Sequence, residues 1–85
     1  MQHDLKISPI FFDAVASGVK PFEVRRNDRP FAVGDTLLLK EFEELPEQFG
    51  ESGYTGRKCN AVVTYILDDP DYCPDGYVIL GLRGW

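Results

Sequence analysis

The chain is poor in the groups on which metal, redox and covalent chemistry are usually built. Two cysteines, Cys59 and Cys73, and a single histidine, His3, occur in 85 residues. Their number and spacing match no zinc motif, and in a reducing compartment the expectation is two free, unremarkable thiols. Neither a G-x-S-x-G elbow nor a P-loop is present. No metal site and no cofactor are therefore expected. No apolar run approaches the roughly 20 residues of a membrane helix, and the opening MQHDLKIS carries charge where a signal peptide is apolar. A cytoplasmic protein without a membrane partner is the expectation. Positive charge is also scarce: nine Lys and Arg face fourteen Asp and Glu, a net charge of −5. That balance argues against a general nucleic-acid binder, whose affinity comes largely from cations neutralising phosphates.

What is present is the composition of a small folded domain. Hydrophobic residues make up 44% and charged residues 27%, far from the signature of disorder. Residues 1–85 have the length for one modest core, so one domain is expected. Charge is unevenly spread. Residues 1–40 hold six basic and five acidic groups, a balance of +1, whereas residues 41–85 hold three basic and nine acidic, a balance of −6. An anion site would have to be local and drawn mainly from the first half.

Along the chain, His3 to Ile7 alternates Leu5 and Ile7 with Asp4 and Lys6, which predicts a short strand. His3 reads as an exposed side chain near the start. Ser8 followed by Pro9 is a helix start, because serine caps orphan N–H groups and proline at the first helical position loses no hydrogen bond. The helix is predicted over 9–17, with Phe11, Ala14, Val15 and Gly18 on its packing face. Gly18 and Pro21 stop it. The segment 22–26 reads as a strand with Phe22 and Val24 toward the core and Glu23 and Arg25 away from it.

Two short turns, 27–30 and 33–35, lead to a leucine-rich strand over 36–42. Residues 43–56, with one proline, three glycines and four glutamates, read as a long surface loop, either a lid or an insertion. Residues 57–67 are dense in β-branched and aromatic types and predict a strand largely buried on both faces. A turn-rich loop over 68–76 precedes a last strand over 77–82, interrupted by Gly81. Phe11, Phe12, Phe22 and Phe31 are expected in the core. One strand, one helix and then four strands exclude repeated βαβ units. The predicted fold class is α+β: a small mixed β-barrel of about five to six strands with one main helix near the N-terminus, closed because closure removes exposed edges.

Gly18, Lys20, Glu23 and Arg25 form G-x-K-x-x-E-x-R, a spacing that resembles the signature of ASCH domains of the PUA-like superfamily. The likeness extends to the DUF3850 group of small phage and bacterial proteins. It is carried by His3, Leu5, Lys6, Ile7 and Pro9, by Gly18 to Arg25, by Asn27 to Asp35, by Tyr54 to Arg57 and by Tyr77 to Gly81. The resemblance implies a PUA-like barrel with a cleft beside the helix, and RNA or a nucleotide as ligand. Some ASCH proteins are amidohydrolases of acylated cytidine that use the motif lysine, a threonine three residues later and a separate glutamate. Here Lys20 stands at the lysine position and Glu23 replaces the threonine, which weighs against that reaction but leaves a Lys–Glu pair capable of other acid–base work.

The residues themselves leave three readings open. In the first, Lys6, Lys20, Arg25 and Arg57 form a local basic cleft for RNA or a nucleotide, with Glu23 orienting Arg25 for a bidentate phosphate contact. Arg26 and Arg29 would extend the patch, and Tyr54, Thr55, Gly56, Arg57 and Lys58 would supply a stacking ring, a hydroxyl, a flexible backbone and two cations, or else form an ordinary loop-to-strand junction. The bland counterpart is a ladder of surface ion pairs worth roughly 0 to 1 kcal/mol each. Under the first reading Arg25→Ala is expected to lower affinity with little loss of stability. In the second, Lys20 and Glu23 are the catalytic pair of a metal-independent hydrolase acting on a modified nucleoside. In the third, the acidic half, with Glu43, Glu44, Glu47 and Glu51, binds a host protein as a phage-encoded modulator.

Overall fold

The computed structural model describes residues 1–84. Six elements follow one another before the last strand: β1 (Gln2–Ile7), α1 (Pro9–Ala16), β2 (Phe22–Arg26), β3 (Thr36–Glu43), a 3₁₀ turn (Glu47–Phe49) and β4 (Gly53–Leu67), followed by β5 (Tyr77–Gly84). The five strands make one sheet in the order β1-β3-β4-β5-β2, rolled into an open half-barrel. β1 lies parallel to β3, and the other pairs are antiparallel. The α+β class, the strand number and the single main helix near the N-terminus agree with the sequence expectation. The barrel is not laddered shut, because β1 and β2 are both edge strands.

The helix begins as its sequence dictates. Ser8 Oγ accepts from the Ile10 N–H, and proline occupies the first turn. Gly18 ends it with φ +83°, a left-handed conformation that glycine adopts without a Cβ penalty. The inward face keeps Val15 as predicted but takes Phe12 in place of Phe11. Phe12 is buried and Val15 packs beside it on the core, whereas Phe11 is half exposed.

The core lines the concave side of the sheet. Leu5 and Ile7 of β1, Leu37 and Leu39 of β3, Val63 of β4, and Val78 and Leu80 of β5 meet Phe12 there. Burying each such side chain is worth about 1.5–3 kcal/mol. These residues follow the period-2 alternation of their strands. β4 departs from it. A bulge between Val63 and Tyr65 resets the phase, so that Ile66 faces the core while Tyr65 is 65% exposed. Gly81 makes that bulge possible, since a Cβ there would meet Thr64 Oγ1 and Tyr65 Cβ at 3.2 Å. The expectation that both faces of this strand are buried is thus corrected: along β4 only Ala61 and Val63 are buried.

The predicted 43–56 loop is also shorter than expected. β3 and β4 continue as a ladder through Phe42 opposite Tyr54 and Glu43 opposite Gly53. Residues 44–52 alone connect them, pinned where the Leu45 N–H donates to Ser52 Oγ at 2.9 Å. Glycine and proline content marked the turn correctly but hid the strand residues beside it.

The largest correction concerns β2. Its register pairs Glu23 with Leu80 and Arg25 with Val78, both of which point to the core. Glu23 and Arg25 therefore face inward, and Phe22 and Val24 are left 41% and 44% exposed. The phase of a strand is set by its pairing partner, and here that partner overrides the apolar pattern. Glu23 tolerates burial because two cations reach it.

Candidate functional site

Glu23, 4% exposed, is held between Lys20 and Arg25. Lys20 Nζ donates to Oε1 at 3.1 Å, and Arg25 Nε donates to Oε2 at 3.0 Å. Lys20 arrives from the turn after α1, where its backbone N–H donates to Ala14 O at 2.9 Å. Its ammonium sits over the rings of Phe11 and Phe22, 4.5 and 5.0 Å from the centroids. The half exposure of those two rings is thus partly cover for a cation, a contact worth about 0.5–1 kcal/mol at such sites. The motif residues Lys20, Glu23 and Arg25 form one network, as their spacing suggested.

Arg25 continues past Glu23 to the opposite edge of the sheet, where its Nη2 donates to the Lys6 carbonyl of β1. Arg29, from the turn after β2, donates to the Asp4 carbonyl at 3.4 Å. Two guanidinium groups therefore span the seam that no backbone ladder closes. This changes the expected role of Arg25: it satisfies a buried carboxylate and an edge carbonyl together, so its removal carries a stability cost.

Outside this clasp the seam opens as a cleft of about 310 Å³, lined by Asp4, Leu5, Lys6, Arg25, Arg29, Lys40 and Tyr54. That volume is at the lower end of small-ligand pockets. Lys6, Arg25, Arg29 and Tyr54 were singled out in the sequence and come together here. Lys40 was not. It enters because β1 and β3 run parallel with Lys6 opposite Lys40, a pairing that a single sequence does not reveal. Asp4 is the local counter-charge, with Oδ2 3.3 Å from Lys40 Nζ. Its carboxyl is held below the usual range by the Gln2 side-chain amide and then by Lys40.

The remaining candidates lie elsewhere. Lys20 and Glu23 line a neighbouring hollow with Phe11 and Phe22, which shares Lys6 and Arg25 with the seam cleft. Arg26 lies over the Tyr77 ring at 5.5 Å. Thr55 and Arg57 serve a second buried carboxylate, Glu41. Thr55 Oγ1 donates to Glu41 Oε1 at 2.7 Å, and Arg57 Nη2 donates to Glu41 Oε2 at 3.2 Å. Arg57 also donates to Asp13 at 2.8 Å and stacks 4.3 Å from the Phe12 ring. Asp13, and then Glu41, hold its guanidinium still more firmly protonated than usual. The Tyr54-Thr55-Gly56-Arg57 segment is thus a bulge opposite Glu41, with Gly56 at φ +94°. It fastens the helix to the sheet, and of its side chains only Tyr54 reaches the seam cleft.

Glu41 had a readable signal. It occupies the buried phase of Leu37 and Leu39, where a carboxylate requires partners. His3 is buried rather than exposed as expected, since its strand phase with Leu5 and Ile7 outweighs its nearness to the start. The ring is 4% exposed. Its Nε2–H donates to Asp35 Oδ2 at 2.7 Å, which itself accepts from the Ala32 N–H at 3.0 Å. The exposed glutamates Glu43, Glu44, Glu47 and Glu51 lie around the β3–β4 connection. No helix among the described residues is long and apolar enough to cross a membrane.

The sequence model of a family described as "Domain of unknown function (DUF3850)" matches residues 2–82 of this chain. An uncharacterised 12.9 kDa protein in the GpA 3′ region of Escherichia phage P2 is 37% identical over 78 residues. The match covers 92% of this chain and 64% of the phage protein, so the chain spans less than two thirds of the relative it matches.

Proposed function

The chain belongs to the DUF3850 family, and from that premise we propose that it is an RNA- or nucleotide-binding module of the PUA-like kind, related to the ASCH domains. The ligand lies in the seam cleft. One observation carries the reading: in a chain of net charge −5, Lys6, Arg25, Arg29 and Lys40 converge on one cleft beside the ring of Tyr54, which is 58% exposed. Cations that hold phosphate beside a ring that stacks a base are the elements of nucleotide recognition. Of the two guanidinium groups, Arg29 is the more available donor. Its contacts to Asp28 and to the Asp4 carbonyl are 3.5 and 3.4 Å, long enough to exchange for a phosphate at small cost.

The test is an amide titration with uridine 5′-monophosphate and a short single-stranded RNA, at low and moderate salt, for the parent chain and for Arg29→Ala and Tyr54→Ala. Saturable shifts around Lys6, Arg29 and Tyr54, weakened about tenfold by Tyr54→Ala through loss of a stacking contact of about 1–3 kcal/mol, are expected. Absence of saturable shifts with both ligands refutes the reading.

A second reading, a metal-independent hydrolase of a modified nucleoside, is favoured by the 3.1 Å contact between Lys20 Nζ and the buried Glu23. A desolvated Lys–Glu pair can move a proton. Turnover that survives Lys20→Ala would exclude it.

A further inference from the structure

Lys6, Lys40 and Lys58 stand directly opposite one another across three adjacent strands. Lys6 pairs with Lys40 between β1 and β3, and Lys40 pairs with Lys58 between β3 and β4. All three point to the convex face, since their neighbours Leu5, Leu39 and Cys59 lie on the concave one. Like charges directly opposite in a sheet destabilise it, and the described residues do little to relieve this row. Asp4 is the one carboxylate within ion-pairing distance of it, and it reaches Lys40 alone.

Aromatic groups flank the row. Lys6 Nζ lies 4.1 Å from the Phe42 centroid, and Tyr54 meets Phe42 edge-on at 5.1 Å. A second groove lined by Lys40, Tyr54, Gly56, Arg57 and Lys58 adjoins the seam cleft, sharing Lys40 and Tyr54 with it. Basic side chains thus follow one another from Arg29 at the seam to Lys58 on β4, with Asp4 as the counter-charge at Lys40.

We infer that this lysine row is a phosphate track leading out of the seam cleft, and that the ligand is a single-stranded polynucleotide of several residues rather than a mononucleotide. The inference rests on the seam-cleft reading and specifies its substrate class. One nucleotide occupies the cleft beside Tyr54, and the phosphates that follow cross β1, β3 and β4 over Lys6, Lys40 and Lys58. The row accounts for binding by a protein of net negative charge: the cations are few, but they are aligned.

The experiment uses the intact chain and two probes, uridine 5′-monophosphate and an unstructured oligouridylate of roughly eight nucleotides, within the site sizes of single-strand binders. Affinities are measured across a salt series for the parent, Lys58→Gln, Asp4→Asn and Arg83→Gln. The parent is expected to bind the oligonucleotide more tightly and with a steeper salt slope than the mononucleotide. Lys58→Gln is expected to lower the oligonucleotide slope by about 0.7, the value of one phosphate contact on a single strand, and to leave mononucleotide affinity unchanged. Asp4→Asn, which frees Lys40, is expected to tighten oligonucleotide binding.

Equal affinity and slope for the two probes, with Lys58→Gln behaving as the parent, overturns the track while leaving the cleft standing. An equal loss with Arg83→Gln, which removes the same charge from β5, assigns the effect to net charge and also overturns it. Failure of both probes to bind removes the cleft and the track together.

Discussion

The two sides of the half-barrel are held together by different physics. On one side β3, β4 and β5 are joined by long antiparallel ladders over a layer in which Leu37, Leu39 and Leu80 are fully buried. On the other, β1 and β2 face each other across a seam crossed by Arg25 and Arg29, and the inward residues of β2 are Glu23 and Arg25 rather than apolar ones. Apolar burial is non-directional and involves no charge for salt to screen. Charge-assisted contacts are few, directional and screened when exposed. The apolar side supplies a rigid frame, and the charged side supplies groups that can exchange partners. A ligand site built from side chains belongs on the second.

Leu80→Ala probes the apolar side and is expected to have the largest effect on stability, about 3–5 kcal/mol from lost transfer energy and the cavity left behind. The loss should be read as a lower denaturant midpoint, with little dependence on salt. A cost below about 1 kcal/mol would mean that the core there is loosely packed and would break the contrast.

Arg25→Ala comes next, at about 2–3 kcal/mol, because it removes one partner of a buried carboxylate and leaves the Lys6 carbonyl without its donor. Lys20 stays on Glu23 and keeps the loss below that of an unpaired charge. The location of the effect matters more than its size. Amide hydrogen exchange should accelerate in β1 and β2 and stay near the parent rate in β3 and β4. A uniform acceleration would show that the seam and the ladders unfold as one unit.

Asp35 gives the smallest effect and the one with a defined pH dependence. Donation from His3, followed by the terminal ammonium, lowers its carboxyl from the ordinary 3.8 to about 2. A group whose folded value lies below its unfolded one stabilises the fold above the unfolded value, and that contribution is lost as pH falls through the folded value. Relative to the parent, Asp35→Asn should therefore be destabilised above pH 4, with the difference shrinking between pH 4 and 2. A difference that stays constant through that window would separate the His3–Asp35 contact from the titration.

Much of the frame was legible along the chain. Ser8 and Pro9 at the helix start, Gly18 at its end, and the alternation of Leu5 and Ile7, and of Leu37 and Leu39, are local signals that act within a few residues. The site was legible as a composition and not as a geometry. Lys20, Glu23 and Arg25 were visible as a group, but the strand carrying two of them was assigned the opposite face, because its apolar pair Phe22 and Val24 was weighed without β5. Lys58 is visible in the sequence as a cation beside Arg57, but Lys40 is not visible as a candidate, since nothing local distinguishes a lysine on a free face from one aligned with two others across neighbouring strands. Thr55 and Arg57 looked like ligand contacts because their types suit a ligand, and only the position of Glu41 shows what they hold.

By itself the sequence determined the elements, their order, the single N-terminal helix and the residues able to carry positive charge, because caps, turn formers and side-chain periodicity are properties of neighbours in the chain. The tertiary structure decided which face each strand turns inward, which cations meet at the seam and which carboxylates they must satisfy. Those depend on register between strands distant in sequence, and a shift of one residue there exchanges the buried face for the exposed one.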